Sequence, residues 1–246
     1  MYTTLEVIKY ELSLKFNEIL FSYLSEGSIN MATTISLAEK AYQELRNRII
    51  YGDYLPGEVL SENALSKDLN MSRTPIRDAL LRLSSTGFVV TLKNRGILVK
   101  DISYKELFDI QSLNHVLQIY ATDLAISGAI NFKTEDLKFH LDKQLAASYV
   151  DDYIKYVKHA ILFGRAMIHS TNNQTMLDTY DSLRHKTMRM AIVNWKLNPE
   201  EKHYSANEIN TKIFEAIIAK KYEKVKTILQ GYTAYNRERF ITNGRL

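Results

Sequence analysis

The chain has no cysteine, which excludes a disulfide framework and any thiolate metal site. The absence also fits a reducing cytosol, and a cytoplasmic location is expected. No apolar run reaches the roughly 18–20 residues needed to cross a bilayer. The first thirty residues lack the apolar core and small-residue cleavage site of a secretion signal. Charge of one sign is also missing: 32 Lys+Arg against 28 Asp+Glu leave a net charge of only +4. Binding to a polyanion would therefore depend on where the cations sit, not on their sum. Three prolines and nine glycines give sparse punctuation between long periodic segments.

What remains is a chain of 246 residues with 46% hydrophobic content, enough for two domains with substantial cores. Residues 1–31 alternate apolar and charged positions and are expected to be an extension outside the folded core, with Met31 a second plausible start. Tyr10, Leu12, Leu14, Phe16, Ile19 and Leu20 could form an amphipathic helix within it. Ser36 opens the first helix, on which Leu37, Ala41, Leu45 and Ile49 form an apolar stripe. Gly52 stops it, and Ser61 caps a second helix with Ala64, Leu65 and Leu69 facing inward. Asn70 and Met71 turn the chain into a third helix capped by Ser72, with Pro75 in its first turn. Ile76, Ala79, Leu80 and Leu83 recur at i, i+3, i+4 and i+7 as its buried face. Gly87 ends that helix, and Phe88–Leu92 with Ile97–Val99 flank Lys93-Asn94-Arg95-Gly96 as a hairpin. Ser103 with Glu106 forms a capping box that begins a helical region. Further periodic segments run to about 127 and over 134–149, 151–170, 174–195, 200–219 and 221–240, with Thr134 and Asn198-Pro199 as start signals. The fold class is mainly α: an N-terminal winged helix-turn-helix over 32–102 with a small β-hairpin wing, then an all-α antiparallel bundle over 103–246.

Two short helices at a tight turn followed by a hairpin present a helix to a DNA groove. Arg73 and Arg77 lie one turn apart and off the apolar stripe, so both can reach base edges in the major groove. Ser72 and Thr74 offer hydroxyl and N–H groups at the helix start, where a phosphate is stabilised. Lys93, Arg95 and the small Gly96 at the wing can approach the DNA backbone or minor groove. A solvated face made by Arg73, Arg77 and Arg82 is the plainer alternative; the capped turn and the wing count against it.

Tyr51-Gly-Asp-Tyr-Leu-Pro-Gly-Glu58, Ser61-Glu62 and Met71-Ser-Arg-Thr-Pro-Ile-Arg-Asp-Ala-Leu80 resemble the DNA-binding domain of the GntR family of bacterial regulators, as do Gly87-Phe88 and Gly96 through Val99. The resemblance covers about 36–102. It implies a transcriptional regulator acting as a homodimer on an inverted-repeat double-stranded DNA operator, with Arg73 and Arg77 reading bases. Where the family often has a basic residue near the start of the second helix, this chain has Asn63. Phe163-Gly-Arg-Ala-Met-Ile-His-Ser-Thr-Asn-Asn173 and Glu208-Ile-Asn-Thr-Lys-Ile-Phe-Glu-Ala216 resemble the FCD effector-binding domain, the fatty-acid-regulator-like branch of that family.

Many FCD domains hold a divalent metal with one Asp and three His. Those positions fall on Ala160, Gly164, Asn210 and Tyr232 here, so neither a metal nor another cofactor is expected. His159, His169 and the Asp136/His140 pair lie nearby, but the six histidines are read as surface or satisfied core residues. Two small residues at the bundle centre suggest a cavity for a small-molecule effector, bordered by Asn114, Gln118, Gly164, Asn210 and Tyr232. Metal-dependent relatives tend to have an Arg where Asn114 sits, so its absence turns the expectation toward a larger or less charged effector, an acyl chain included. A bundle simply filled by its Tyr, Phe and Met side chains is the plainer alternative. No paired carboxylates, phosphate loop or nucleophile elbow is visible, so no catalytic residue is assigned. The rival readings are a metal-dependent helical enzyme with a DNA-binding head and a DNA binder without sequence preference.

Overall fold

The computed structural model describes residues 36–93, 95–200 and 204–242, without the side chains of 235, 236 and 239–242. The extension expected over 1–31 and its amphipathic stretch lie outside these residues. The head contains helices α1 (Leu37–Ile50), α2 (Glu62–Asp68) and α3 (Arg73–Ser85) and strands β1 (Val59–Leu60), β2 (Val89–Leu92) and β3 (Gly96–Val99). The strands form an antiparallel sheet in the order β1-β3-β2. Val89 pairs with Val99 across the wing, and Val59 pairs with Leu98 on the other side.

The local signals act as side-chain chemistry requires. Ser36 Oγ accepts the Glu39 N–H at 3.1 Å to start α1, and Ser61 Oγ accepts the Ala64 N–H at 3.1 Å to start α2. Asn70 supplies the left-handed turn between α2 and α3 at φ 50°. On α3, Ile76, Ala79, Leu80 and Leu83 are all buried. Each of the larger three contributes about 1.5–3 kcal/mol by leaving water. Two positions depart from the expected stripes. Leu37 is 56% exposed because the first turn of α1 extends past the head core, whereas Ala41, Leu45 and Ile49 are fully buried. Ala64 is exposed, since seven residues of α2 offer one narrow face, taken by Leu65 and Leu69.

Helices α4 (Tyr104–Ile126), α5 (Thr134–Tyr149), α6 (Tyr153–His169), α7 (Gln174–Leu197), α8 (Ser205–Ile218) and α9 (Tyr222–Thr242) follow. Ser103 Oγ accepts the Glu106 N–H at 3.1 Å, while the Glu106 carboxylate is drawn across to Lys186 of α7 at 2.6 Å. Two expected start signals act otherwise. Thr134 is the first residue of α5 and not its cap; the preceding Lys133 N–H instead donates to Ser170 Oγ at 3.0 Å. Asn198 closes α7, its side-chain amide donating to the Asn194 carbonyl at 3.2 Å, and α8 starts only at Ser205.

Helix α7 belongs to both halves of the fold. Met188 and Ile192 are buried in the same cluster as Leu45, Ile49, Leu80 and Leu83 of the head. Arg189, 1% exposed, donates to the Lys100 carbonyl in the connector. Lys196 Nζ donates to the Gly52 carbonyl at 3.1 Å and lies 3.2 Å from Asp53 Oδ1. On the far side of the body, α9 packs on α4. There His115 Nδ1 lies 2.6 Å from Thr233 Oγ1 and the ring meets Tyr232 edge-on at 5.6 Å.

Two outcomes follow from this packing. Gly96 has φ 98°, and a Cβ there would sit 2.7 Å from the Leu60 carbonyl oxygen. Gly96→Ala should therefore cost at least about 2 kcal/mol and lower Tm by roughly 4–8 °C, read by thermal unfolding. Burial pushes the His115 imidazole down to about 4, below its ordinary 6.5. Because the folded value is the depressed one, its neutral form is favoured by folding. Stability is full above pH 6.5 and falls by up to about 3 kcal/mol as pH drops toward 4, since the unfolded chain binds the proton first. Urea midpoints across that range should fall less steeply for His115→Gln than for the wild type.

Candidate nucleic-acid interface and helical cavity

Ser72, Arg73 and Thr74 stand exposed at the N-terminus of α3, where the first backbone N–H groups have no helical acceptor. Ser72 holds the cap position, but its side chain makes no capping hydrogen bond. This differs from the cap expected of it and leaves the hydroxyl available to an outside acceptor. Arg73, the first helical residue, is exposed on the same surface.

Arg77 is placed differently. Its Nε lies 3.3 Å from Glu62 Oε1 and its Nη2 3.2 Å from Glu62 Oε2, a forked ion pair across the α2–α3 turn. The side chain is still 67% exposed, and the fork uses two of five guanidinium donors. Arg77 is thus held at a fixed angle with three donors directed elsewhere. Spacing along α3 alone does not reveal Glu62, which is fifteen residues away. Arg82 leaves the candidate surface altogether: it pairs with Glu39 and stacks 3.9 Å over the Tyr42 ring, fastening α3 to α1.

At the wing, Lys93 and Arg95 are exposed on either side of Asn94, which lies outside the described residues. Gly96 is not free to approach DNA as the sequence suggests. It is the first residue of β3 and packs against β1, so its small size serves the sheet. Asn63 is exposed near the start of α2 and offers no cation there.

In the helical body, Asn114, Gln118, Gly164, Asn210 and Tyr232 all line one cavity of about 250 Å³. They come from α4, α6, α8 and α9, and Ala160 joins them. Helix α7 adds Tyr180, Thr187 and Ala191 to the lining. The space expected at Gly164 is partly filled: a Cβ there would lie 2.5 Å from Gln118 Nε2 and 2.9 Å from the Tyr180 hydroxyl. Tyr180 in turn donates to the Ile161 carbonyl at 2.7 Å. Asn210 is fixed by a polar ladder absent from the sequence reading. Its amide donates to Gln144 Oε1 at 2.8 Å, and Gln144 donates to Asn207 Oδ1 at 2.9 Å. Asn207 then donates to Ser148 Oγ at 2.8 Å. Gln144 is fully buried, so this ladder replaces water between α5 and α8.

The donors at this centre do not suit a divalent metal. Ala160 and Gly164 carry no ligand atom, the Asn210 amide is engaged by Gln144, and the other donors are phenols, amides, hydroxyls and one neutral imidazole, with no carboxylate among the described lining residues. Among the described residues no three His, Asp or Glu side chains gather anywhere. The other histidines named from sequence sit apart from the cavity lining: His140 Nδ1 lies 3.1 Å from His159 Nδ1, and His169 Nδ1 lies 3.6 Å from Asp136.

Among the described residues no helix is long and apolar enough to cross a membrane. Residues 37–99 match the family described as bacterial regulatory proteins, gntR family, and residues 110–234 match the FCD domain. The gluconate operon transcriptional repressor of Bacillus licheniformis is 26% identical over 160 residues, covering 65% of each chain, just under two thirds of its length. The HTH-type transcriptional regulator McbR of Escherichia coli (strain K12) is 26% identical over 149 residues, 61% of this chain and 67% of that one. In three dimensions, a GntR chain from Rhodococcus sp. RHA1 shares the fold at TM-score 0.68 and 20% identity, over 83% of this chain and 97% of that chain. The first two of these relatives are named as regulators of transcription. With the FCD match spanning more than half of the chain behind a matching winged head, the chain belongs to the FCD-containing GntR family of bacterial regulatory proteins.

Proposed function

We propose that this regulator is a cytoplasmic homodimer that binds an inverted-repeat operator through the head, residues 32–102. A small molecule in the cavity of the helical domain, residues 103–246, would control that binding. The observation that carries the reading is α7. Its Thr187 and Ala191 line the cavity, and the adjoining Met188 and Ile192 are built into the core beneath the DNA-facing helix.

On the DNA side, Arg73 reads base edges directly and Arg77 does so from its Glu62 clamp. Ser72, Thr74, Lys93 and Arg95 hold the phosphate backbone. Gly96 shapes the wing that carries Lys93 and Arg95. In support of a dimer, Leu113, Val116 and Tyr120 form an exposed apolar stripe on α4, spaced i, i+3 and i+7, which a second copy would cover. An effector preferring one packing of α7 shifts the spacing of the two heads by its differential affinity and no more.

The reading is tested with an operator selected from random duplexes and measured by fluorescence anisotropy. Arg73→Ala should lose about 1–3 kcal/mol on the selected site, with little change on scrambled DNA and no change in dimer mass. Arg77→Ala should lose at least as much, because it leaves the Glu62 carboxylate uncancelled near phosphate. Wild-type operator affinity in both variants would contradict the assignment.

A further inference from the structure

The cavity wall holds two polar atoms that nothing among the described residues satisfies. Asn114 Oδ1 and Thr187 Oγ1 are buried without a hydrogen-bond partner, although both residues line the cavity. Asn114 is more than nine-tenths buried, so bulk water does not compensate it. Three other polar groups of the lining are engaged: Tyr180 with the Ile161 carbonyl, Asn210 with Gln144, and the Tyr156 hydroxyl with the Ala206 N–H at 3.0 Å. Buried polar groups in folded proteins are almost always paired, so two orphans on residues of one cavity wall mark where a ligand atom would complete the structure.

The electrostatics of the cavity narrow the ligand's chemistry. None of the described residues lining it is Asp, Glu, Lys or Arg. His115, the one titratable base in the wall, is held neutral at pH 7 by burial. A carboxylate placed here would lose its hydration with no countercharge to replace it. It would also meet Asn114 Oδ1 acceptor to acceptor, since an ionised carboxyl has no proton to donate. An uncharged molecule with hydroxyl or amide N–H groups loses little on entry and satisfies that oxygen.

We infer that the cavity takes an uncharged small molecule whose hydroxyl or amide N–H donates to Asn114 Oδ1, with a second hydrogen bond to Thr187 Oγ1. The inference rests on the reading of this cavity as the effector site and specifies its ligand class. Asn114 and Thr187 stand on α4 and α7, so such a ligand bridges the first helix of the body to the helix shared with the head.

The test uses the full chain and matched probes differing in charge: D-glucitol against D-gluconate, nicotinamide against nicotinate, and hexanamide against hexanoate. Thermal unfolding and operator affinity are read in the same samples. At about a hundredfold excess over its Kd, an uncharged member should raise Tm by about 5 °C or more, and its carboxylate counterpart should not. Asn114→Leu should abolish that shift without lowering the Tm of the unliganded protein, because it removes an acceptor that has no partner. A carboxylate that stabilises the protein more than its uncharged counterpart and changes operator affinity overturns the ligand class but leaves the effector site standing. An uncharged probe that binds without altering operator affinity supports the ligand class and removes the regulatory reading. Binding by none of the probes overturns the inference, as does an Asn114→Leu variant that keeps the shift.

Discussion

A single helix, α7, has to satisfy two cores at once, and the rest of the architecture depends on that constraint. Successive positions on a helix differ by about 100°, so neighbouring residues face different partners. Thr187 and Ala191 face the cavity, Met188 and Ile192 face the head, and Arg189 reaches the connector at Lys100. Close-packed interiors transmit small displacements instead of absorbing them. A shift of α7 that accommodates a ligand at Thr187 therefore disturbs the packing of Met188 one residue on. Tyr153 continues the same contact, lining the cavity while its ring lies 5.2 Å from that of Trp195.

On the outer surface the same logic of fixed angles governs the arginines. Arg82 is fastened to Tyr42 and Glu39, so α3 cannot roll on α1 without breaking a cation–π contact and an ion pair. Arg77 is oriented by Glu62 before any DNA is present. An arginine already held by a forked ion pair has less rotamer freedom left to lose than an unpaired one. Arg73, the first residue of α3, is exposed and keeps its rotamer freedom. One guanidinium is set in advance and its neighbour is adjustable.

Much of this was legible in the sequence wherever the cause is local. The α3 stripe of Ile76, Ala79, Leu80 and Leu83 and the caps at Ser36 and Ser61 depend on neighbours within one or two turns, and the structure has them. Features with distant causes were not legible. Strand β1 has two residues and exists only because Val59 and Leu60 meet β3 almost forty positions later. Arg189 would pass for a surface cation until the Lys100 carbonyl is seen beside it. The five cavity residues came from the FCD resemblance and not from any periodicity, and the orphaned Thr187 lies outside the motifs quoted for it. The sequence suggests empty space at Gly164, whereas the Gln118 amide and the Tyr180 hydroxyl occupy its surroundings, an arrangement that only tertiary packing decides.

Native-state hydrogen exchange tests the shared-helix account most directly, by comparing backbone amides of α1 with those of residues 186–197 under increasing denaturant. If head and body share α7 as part of one core, the two sets open together and converge on a single free energy of exposure. Amides of α1 that exchange through their own, lower-energy opening while residues 186–197 stay protected would show that the head is not locked to α7, and the account would fail.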